Sequence, residues 1–523
     1  MNDNNNFNGG FPGQPCPPPY PQPCPYPQPY PQYGARPAAK VKEKPEYSKK
    51  DIAVSVFTVI AAFCFVRYVL FHAMGFITTG LYISIISAAI IYLRKSGCRF
   101  SGFSRLLTAV LYIFSFVFSV TSNNFIKGLD ALFLFGAGAY LVYTVGAGNS
   151  SVDRFLPFAL CKAVFEYPFS AFDRQTVIAS DHLSSSKAGS NAKYIILGLV
   201  ITVPLTAIVA ALLMSADDGV ERMLNAIYDK IFRDEFWNII LQLIIALPCS
   251  CYLFGMFYRN THRSGINELS EITCTQKLFN IRFISNLVMY TAVTPICILY
   301  VLFFISQGSY FLSAFTNNLP EGFTYADYAR RGFFELCAVA VINLFVLCFI
   351  SLFSKKAGRE KTKALKFYSI TLSVFTVVLI ATAISKMVMY IDNYGLTELR
   401  LYTSWFMVLL ALIFIMVIIK QFKFDMKFAR HISAVFVIMF AILCFARPEA
   451  VIARYNISMY NSGYLDELDK NTLLRMTDDG LLTAYNMGAV TSEEVNEHKY
   501  SLYQRCTFGK YNISAVILDA ETE

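Results

Sequence analysis

Charge is scarce in this chain. Asp, Glu, Lys and Arg make up only 15% of its 523 residues. Catalytic signatures are scarcer still. The sequence has no Gly-rich phosphate loop, no nucleophile elbow and no HExxH zinc helix. Its five histidines are scattered and none pairs with another as a ligand set. These absences argue against nucleotide hydrolysis, serine-type acyl transfer and zinc hydrolysis, and no cofactor or metal is expected. No cleavable leader is expected either, because the first 50 residues are polar and the first apolar run is full length. Cysteine is not lacking, but Cys64, Cys249, Cys251, Cys297, Cys337, Cys348 and Cys444 fall inside apolar runs. There Cys is a small buried hydrophobe rather than half of a disulfide.

What the chain has in quantity is apolar length. Hydrophobic residues reach 55% and mean hydropathy is +0.46. A helix needs about 20 apolar residues to cross the hydrocarbon core of a bilayer. Eleven runs qualify: 52–71, 76–93, 103–121, 129–147, 194–215, 236–257, 283–305, 332–353, 367–389, 402–420 and 428–446. They are too long and too uniformly apolar for barrel strands, which alternate over about 10 residues. The predicted fold is all-α, a polytopic transmembrane helical bundle over residues 51–446. Its surroundings are the lipid bilayer.

Lys and Arg concentrate in cytoplasmic loops. The N-terminal segment carries Arg36, Lys40, Lys42, Lys44, Lys49 and Lys50, and the loop near 360 carries Lys355, Lys356, Arg359, Lys361, Lys363 and Lys366. The opposite side holds, over all its loops, only Lys127, Arg222, Lys230, Arg233, Arg330, Arg331, Lys386 and Arg400. Eleven spans keep this alternation along the whole chain. The expectation is a cytoplasmic N-terminus and an extracytoplasmic C-terminus. Sidedness accounts for the net charge of +9, so no nucleic-acid partner is called for.

Residues 1–50 form a Pro-, Tyr- and Gln-rich tail, expected to be disordered and cytoplasmic, with polyproline II character. Such a strip could dock on an aromatic groove of a cytoplasmic protein partner. Residues 447–523 form a small, acidic, soluble C-terminal segment, expected outside the membrane. Its Leu spacing suggests short amphipathic helices, and Thr491 with Glu494 makes a capping box. The stretch after the fifth run, SADDGVERMLNAIYDKIFRDEF, is amphipathic and expected to lie on the outer membrane surface.

Charges in or near spans point to partners or water. Asp327, Arg330, Arg331 and Glu335 cluster ahead of and just inside the eighth run. Asp327, Arg331 and Glu335 follow one another at four-residue spacing, on one helical face. Lys386, Tyr390, Asp392 and Arg400 gather near the end of the ninth run and the start of the tenth, where Thr397 is a plausible N-cap and Glu398 suits the positive helix start. Two readings stand: paired charges with aromatic anchors at an interface, or an outer-face site for a small polar or anionic ligand.

The chain resembles bacterial membrane proteins grouped as domain of unknown function 4173, close to the 4153 group. The resemblance rests on LLMSADDGVERML (212–224), TYADYARRGFFEL (324–336), YIDNYGLTELRLYTSWFM (390–407) and PEAVIARYNI (448–457). It covers about residues 190–460. It implies a multi-pass protein of a bacterial inner membrane and supplies no activity. Transport, or envelope sensing and assembly, is the expected role. One alternative is a membrane transferase on a lipid-linked substrate, with Asp327 or Glu335 as base. The other is a scaffold or sensor acting through the Pro-rich tail.

Overall fold

The computed structural model describes residues 47–71, 74–148, 155–184, 234–262, 284–306, 325–354, 363–423, 425–503 and 511–522, with a few single positions between. Described residues in regular structure are helical, apart from one isolated bridge between Ile284 and Ser354. The first helices are α1 (Lys49–Phe65, continued by a π turn Val66–Leu70), α2 (Phe76–Lys95), α3 (Gly102–Ser115, extended by Val117–Val120), α4 (Asn124–Ala147) and α5 (Asp234–Thr261). Then come α6 (Asn286–Ser306), α7 (Tyr325–Phe353), α8 (Lys363–Tyr394), α9 (Glu398–Phe422) and α10 (Phe428–Phe445). Each contains a stretch long and apolar enough to cross a membrane, ten in all among the described residues. They coincide with ten of the eleven expected runs. The remaining run, 194–215, and the amphipathic stretch behind it lie outside the described residues, as do residues 1–46.

Local sequence explains where these helices start and stop. The Asn123 side chain accepts from the Ile126 amide at 3.0 Å, capping α4, and Gly148 ends it at a φ of 68°. Thr397 caps α9 through the Arg400 amide. Along the spans the outward faces stay apolar: Leu132, Ile305 and Phe345 are 69%, 74% and 69% exposed. Such faces belong against lipid, not water. The chain is a multi-pass membrane protein.

Cross-contacts fix the direction of each helix. Tyr92, near the end of α2, donates to Asp51, near the start of α1, at 2.6 Å and bonds Thr261, at the end of α5, at 3.0 Å. Gln175 then joins Ser55 and Thr58 of α1 to Ser250 of α5. Ala246 packs on Ala62 and Val66 one level further. α1 and α5 are therefore antiparallel. The end holding Asp51, Tyr92 and Thr261 is called the base. Asp181 is also at the base, where it accepts from Tyr47 at 2.8 Å. Short helical pieces between Leu156 and Ser184 dip in from that end. There Gly255 lets the carbonyl of Pro168 approach so closely that a Cβ would stand 2.5 Å from it.

Two apolar cores fill the described bundle. In the first, Phe114 of α3 stacks on Phe440 of α10 and meets Phe133 of α4. In the second, Phe333, Leu336, Leu372, Met407 and Phe414 tie α7, α8 and α9 together. A buried polar chain crosses it, from the Tyr300 hydroxyl to Asn343 at 2.7 Å and from Asn343 to Thr376 at 2.9 Å. Beyond α10 come α11 (Pro448–Asn461), α12 (Lys470–Arg475), α13 (Asp478–Asn486), α14 (Ser492–Tyr503) and α15 (Ile513–Thr522). Ala453, Ile457, Leu473, Leu481, Leu482, Val495 and Leu518 give these five helices a core of their own. They form a cap on the end of the bundle opposite the base.

Candidate functional site

Two polar clusters lie at the cap end, adjoining at the start of α9. The first lies on α7, α8 and α9. A cleft of about 230 Å³ is lined by Phe333, Phe334, Met387, Tyr390, Thr397, Leu399, Arg400 and Thr403. The Arg400 guanidinium stands 3.9 Å from the Tyr390 ring centroid. It also donates to the carbonyls of Tyr394 (3.0 Å) and Gly395. Arg400 thus ties off the end of α8, where carbonyls lack partners and a cation suits the dipole, while it walls the cleft. Lys386 sits one turn below Tyr390 on the same face of α8. Its half-buried amine is faced by the Glu335 carboxylate of α7. Asp392 points to the cap and accepts from Tyr455 at 3.1 Å. Burial, then the Asp392 carboxylate, push the Tyr455 phenol up. Next to it Asn456 clamps the backbone of Leu396, accepting at 2.6 Å and donating at 2.9 Å. Gly395, at a φ of 74°, fits under that amide, where a Cβ would lie 2.8 Å from it.

The second cluster is buried and joins three spans to the cap. Asp479 of α13 is fully buried. One carboxylate oxygen accepts from the Thr121 hydroxyl (2.6 Å) and the Ser122 amide (2.8 Å), in the turn between α3 and α4. The other accepts from Arg447 Nε at 3.1 Å and from the Ser514 hydroxyl. Arg447 reaches on to Ser514 at 2.6 Å and holds a left-handed backbone at a φ of 53°. Beside it, the Asn123 amide donates to Glu398 at 3.1 Å and to Glu449 at 2.6 Å, and Glu449 also receives the Thr477 amide. Glu398, Glu449 and Asp479 each lie in the first turn of a helix, on α9, α11 and α13. Those N-termini favour negative charge, which helps explain why so many carboxylates meet here. Asp478 is adjacent, and burial pushes its carboxyl up while Lys127 opposes that.

Of the eight residues singled out in the sequence, Tyr390 and Arg400 share the cleft, and Glu335 and Lys386 face each other below it. Asp392 is drawn off to the cap. Asp327, Arg330 and Arg331 fall in the first turns of α7, and their side chains lie outside the described residues. The sequence reading missed the second cluster. Of its members the sequence reading had noted only Glu398, as an acid suited to a helix start. Among the described residues no group of three or more His, Cys, Asp and Glu could hold a metal ion.

The chain matches the family described as Domain of unknown function (DUF4153) over residues 106–487. It belongs to that family. The sequence motifs had pointed to the 4173 group with 4153 as its neighbour, and the match falls on the neighbour. It also extends on both sides of the motif-bearing region, taking in most of α3, all of α4 and the first three cap helices, so the cleft and all of the second cluster except Ser514 lie inside it. No curated protein and no solved structure matches the chain.

Proposed function

We propose that this DUF4153 protein transports a small organic anion across a bacterial cytoplasmic membrane, with its N-terminus cytoplasmic and its cap outside. The observation that carries this is the cleft at the cap end, with the Lys386 and Glu335 pair one turn beneath it inside the spans. Ionisable groups at membrane depth are expensive and mark substrate or ion pathways. Phe333, Phe334 and Met387 suit an apolar portion of the solute, and Arg400 and Lys386 suit its anionic end. For sidedness, the described basic residues Lys49, Lys50, Arg94, Lys95, Arg259, Lys420 and Lys423 sit at the base ends of their spans, and the positive-inside rule assigns such an end to the cytoplasm. In proteoliposomes, electrogenic currents on addition of benzoate and related carboxylates should appear with the wild-type protein and vanish in Lys386→Met and Glu335→Gln. Equal currents in all three would remove the pair from the mechanism. In intact cells, on a background with the native cysteines replaced by serine, a membrane-impermeant maleimide should label Ser462→Cys in the cap and spare Lys49→Cys at the base. The reverse pattern would invert the orientation.

A second reading is favoured by the buried cluster around Asp479. A cap keyed so specifically to three spans would also suit an envelope sensor that passes a signal from cap to bundle. Under that reading, cap mutations should change signalling while the currents above are absent.

A further inference from the structure

The least expected side chain in the described bundle is Asp130. It lies two turns into α4, fully buried, and neither carboxylate oxygen has a hydrogen-bond partner. Its surroundings are apolar: Ile126 and Leu134 flank it on α4, at 0% and 3% exposure. Buried carboxyl groups without partners are rare because the cost of desolvation is not returned. The Tyr82 phenol of α2 and the Cys444 thiol of α10 lie within electrostatic reach of it. Lys127, the charged group nearest on its own helix, turns away and donates to the Met74 carbonyl at 2.5 Å.

A second orphan lies close by. Thr78 of α2 is fully buried and its hydroxyl has no hydrogen-bond partner. α2 and α4 run side by side from the cap end, with Met74 level with Lys127 and Tyr82 level with Asp130. Thr78 and Tyr82 are four apart on α2, so Thr78 lies on the face that turns Tyr82 to α4, one turn nearer the cap. Three oxygens without partners therefore lie on the facing sides of α2 and α4, one to two turns below the cap junction. The junction supplies titratable groups above them. Lys127 is buried and stands within electrostatic reach of Asp478, whose neighbour Asp479 is held by Arg447.

We propose that Asp130 is a proton-binding site inside the membrane bundle, with Thr78 and Tyr82 as its hydroxyl neighbours, and that protons reach it from the cap side past Asp478 and Lys127. The site goes beyond the transport reading. If that reading holds, the proton is the coupling ion. If it does not, proton binding at Asp130 stands by itself.

The test is pH-difference infrared spectroscopy on the purified full-length protein in lipid nanodiscs, with no solute added. A protonated carboxyl in an apolar site gives a C=O stretch apart from the amide bands. That band should appear in the wild type, disappear in Asp130→Asn, and persist with a shifted position in Asp130→Glu. The glutamate variant keeps the test decisive if the asparagine variant fails to fold. A band unchanged in Asp130→Asn, or no titrating carboxyl band in the wild type, overturns the proposal. A band that moves with sodium concentration at fixed pH would make the ligand sodium instead and also overturn it. Entry past the cap predicts slower proton exchange at Asp130 in Lys127→Met, and an unchanged rate would refute that route. No step of this experiment needs a transported solute, so its failure and that of the transport reading are distinguishable.

Discussion

The two polar clusters at the cap end differ in how they are held, and the difference separates local from long-range construction. The cleft cluster is built within a short stretch of chain: Arg400 bonds carbonyls five and six positions back and stacks on Tyr390. It is half-exposed. The junction cluster bonds residues 275 to 358 positions apart, besides nearer bonds within the cap, and Thr121, Asn123, Glu449 and Asp479 within it are buried. Exposed ion pairs contribute about 1 kcal/mol at most. A buried pair cut at one end costs about 3–5 kcal/mol, because the other charge is stranded. The clusters should therefore respond to mutation on different scales.

Asp479→Ala should show the largest effect. It strands Arg447, two hydroxyls and the Ser122 amide at the cap interface. Arg447 is partly exposed, so the loss should sit near the lower end of that range, about 3 kcal/mol. Thermal unfolding in detergent would measure it, with early proteolysis of the cap as the accompanying sign. A change as small as that of an exposed pair would erase the distinction between the clusters.

Asn123→Asp should come next. The cap of α4 survives, since Asp is as good an N-cap as Asn. The donor shared by Glu398 and Glu449 becomes a third carboxylate. Like charges at this range repel, and the deficit should be about 2 kcal/mol at neutral pH. It should shrink as pH falls and the carboxylates take up protons. Asn123→Ala, which removes the donor but adds no charge, should show a weaker pH dependence of the same sign. If both variants lose stability equally at every pH, electrostatics do not govern the junction.

The same contrast explains what could be read from the amino acids alone. The ten described spans were legible because apolar length is a local property. So were the Thr397 cap and the Thr491 and Glu494 capping box, whose bonds span three residues. The junction was not legible. Thr121, Ser122 and Asn123 look like an ordinary helix start, and Glu449 and Asp479 look like solvated acids of a soluble tail. Only their meeting reveals a buried network. The cleft was half legible. Lys386, Tyr390 and Arg400 were visible as a group, but the carbonyl contacts of Arg400 depend on the turn that Gly395 makes.

Asn456→Ala should have an intermediate effect, about 1–2 kcal/mol, through two lost bonds to the Leu396 backbone. It also joins the clusters, since that turn carries α8 into α9. Its unfolding loss should come with weaker benzoate currents if the cleft needs the turn fixed. Tyr455→Phe, which removes one exposed bond to Asp392, should cost less than 1 kcal/mol.

The smallest effect, and the one with a distinctive sign, belongs to Asp478→Asn. Burial raises this carboxyl above its ordinary range, so the folded protein disfavours its charged form. For a carboxyl raised in the folded state, the unfolded chain releases the proton first. Stability from this group is therefore fullest at acid pH and falls as pH rises from the unfolded value through the folded one. Asparagine removes the titration and keeps the size. The variant should be slightly more stable than the wild type at pH 7, and the gain should fade on acidification toward the ordinary carboxylate range. Melting curves across that pH interval would show it. A gain constant with pH would mean that packing, not charge, is relieved. A loss at pH 7 would mean that Lys127 outweighs burial, and the negative charge of Asp478 would then join that of Asp479 in holding the cap to the bundle.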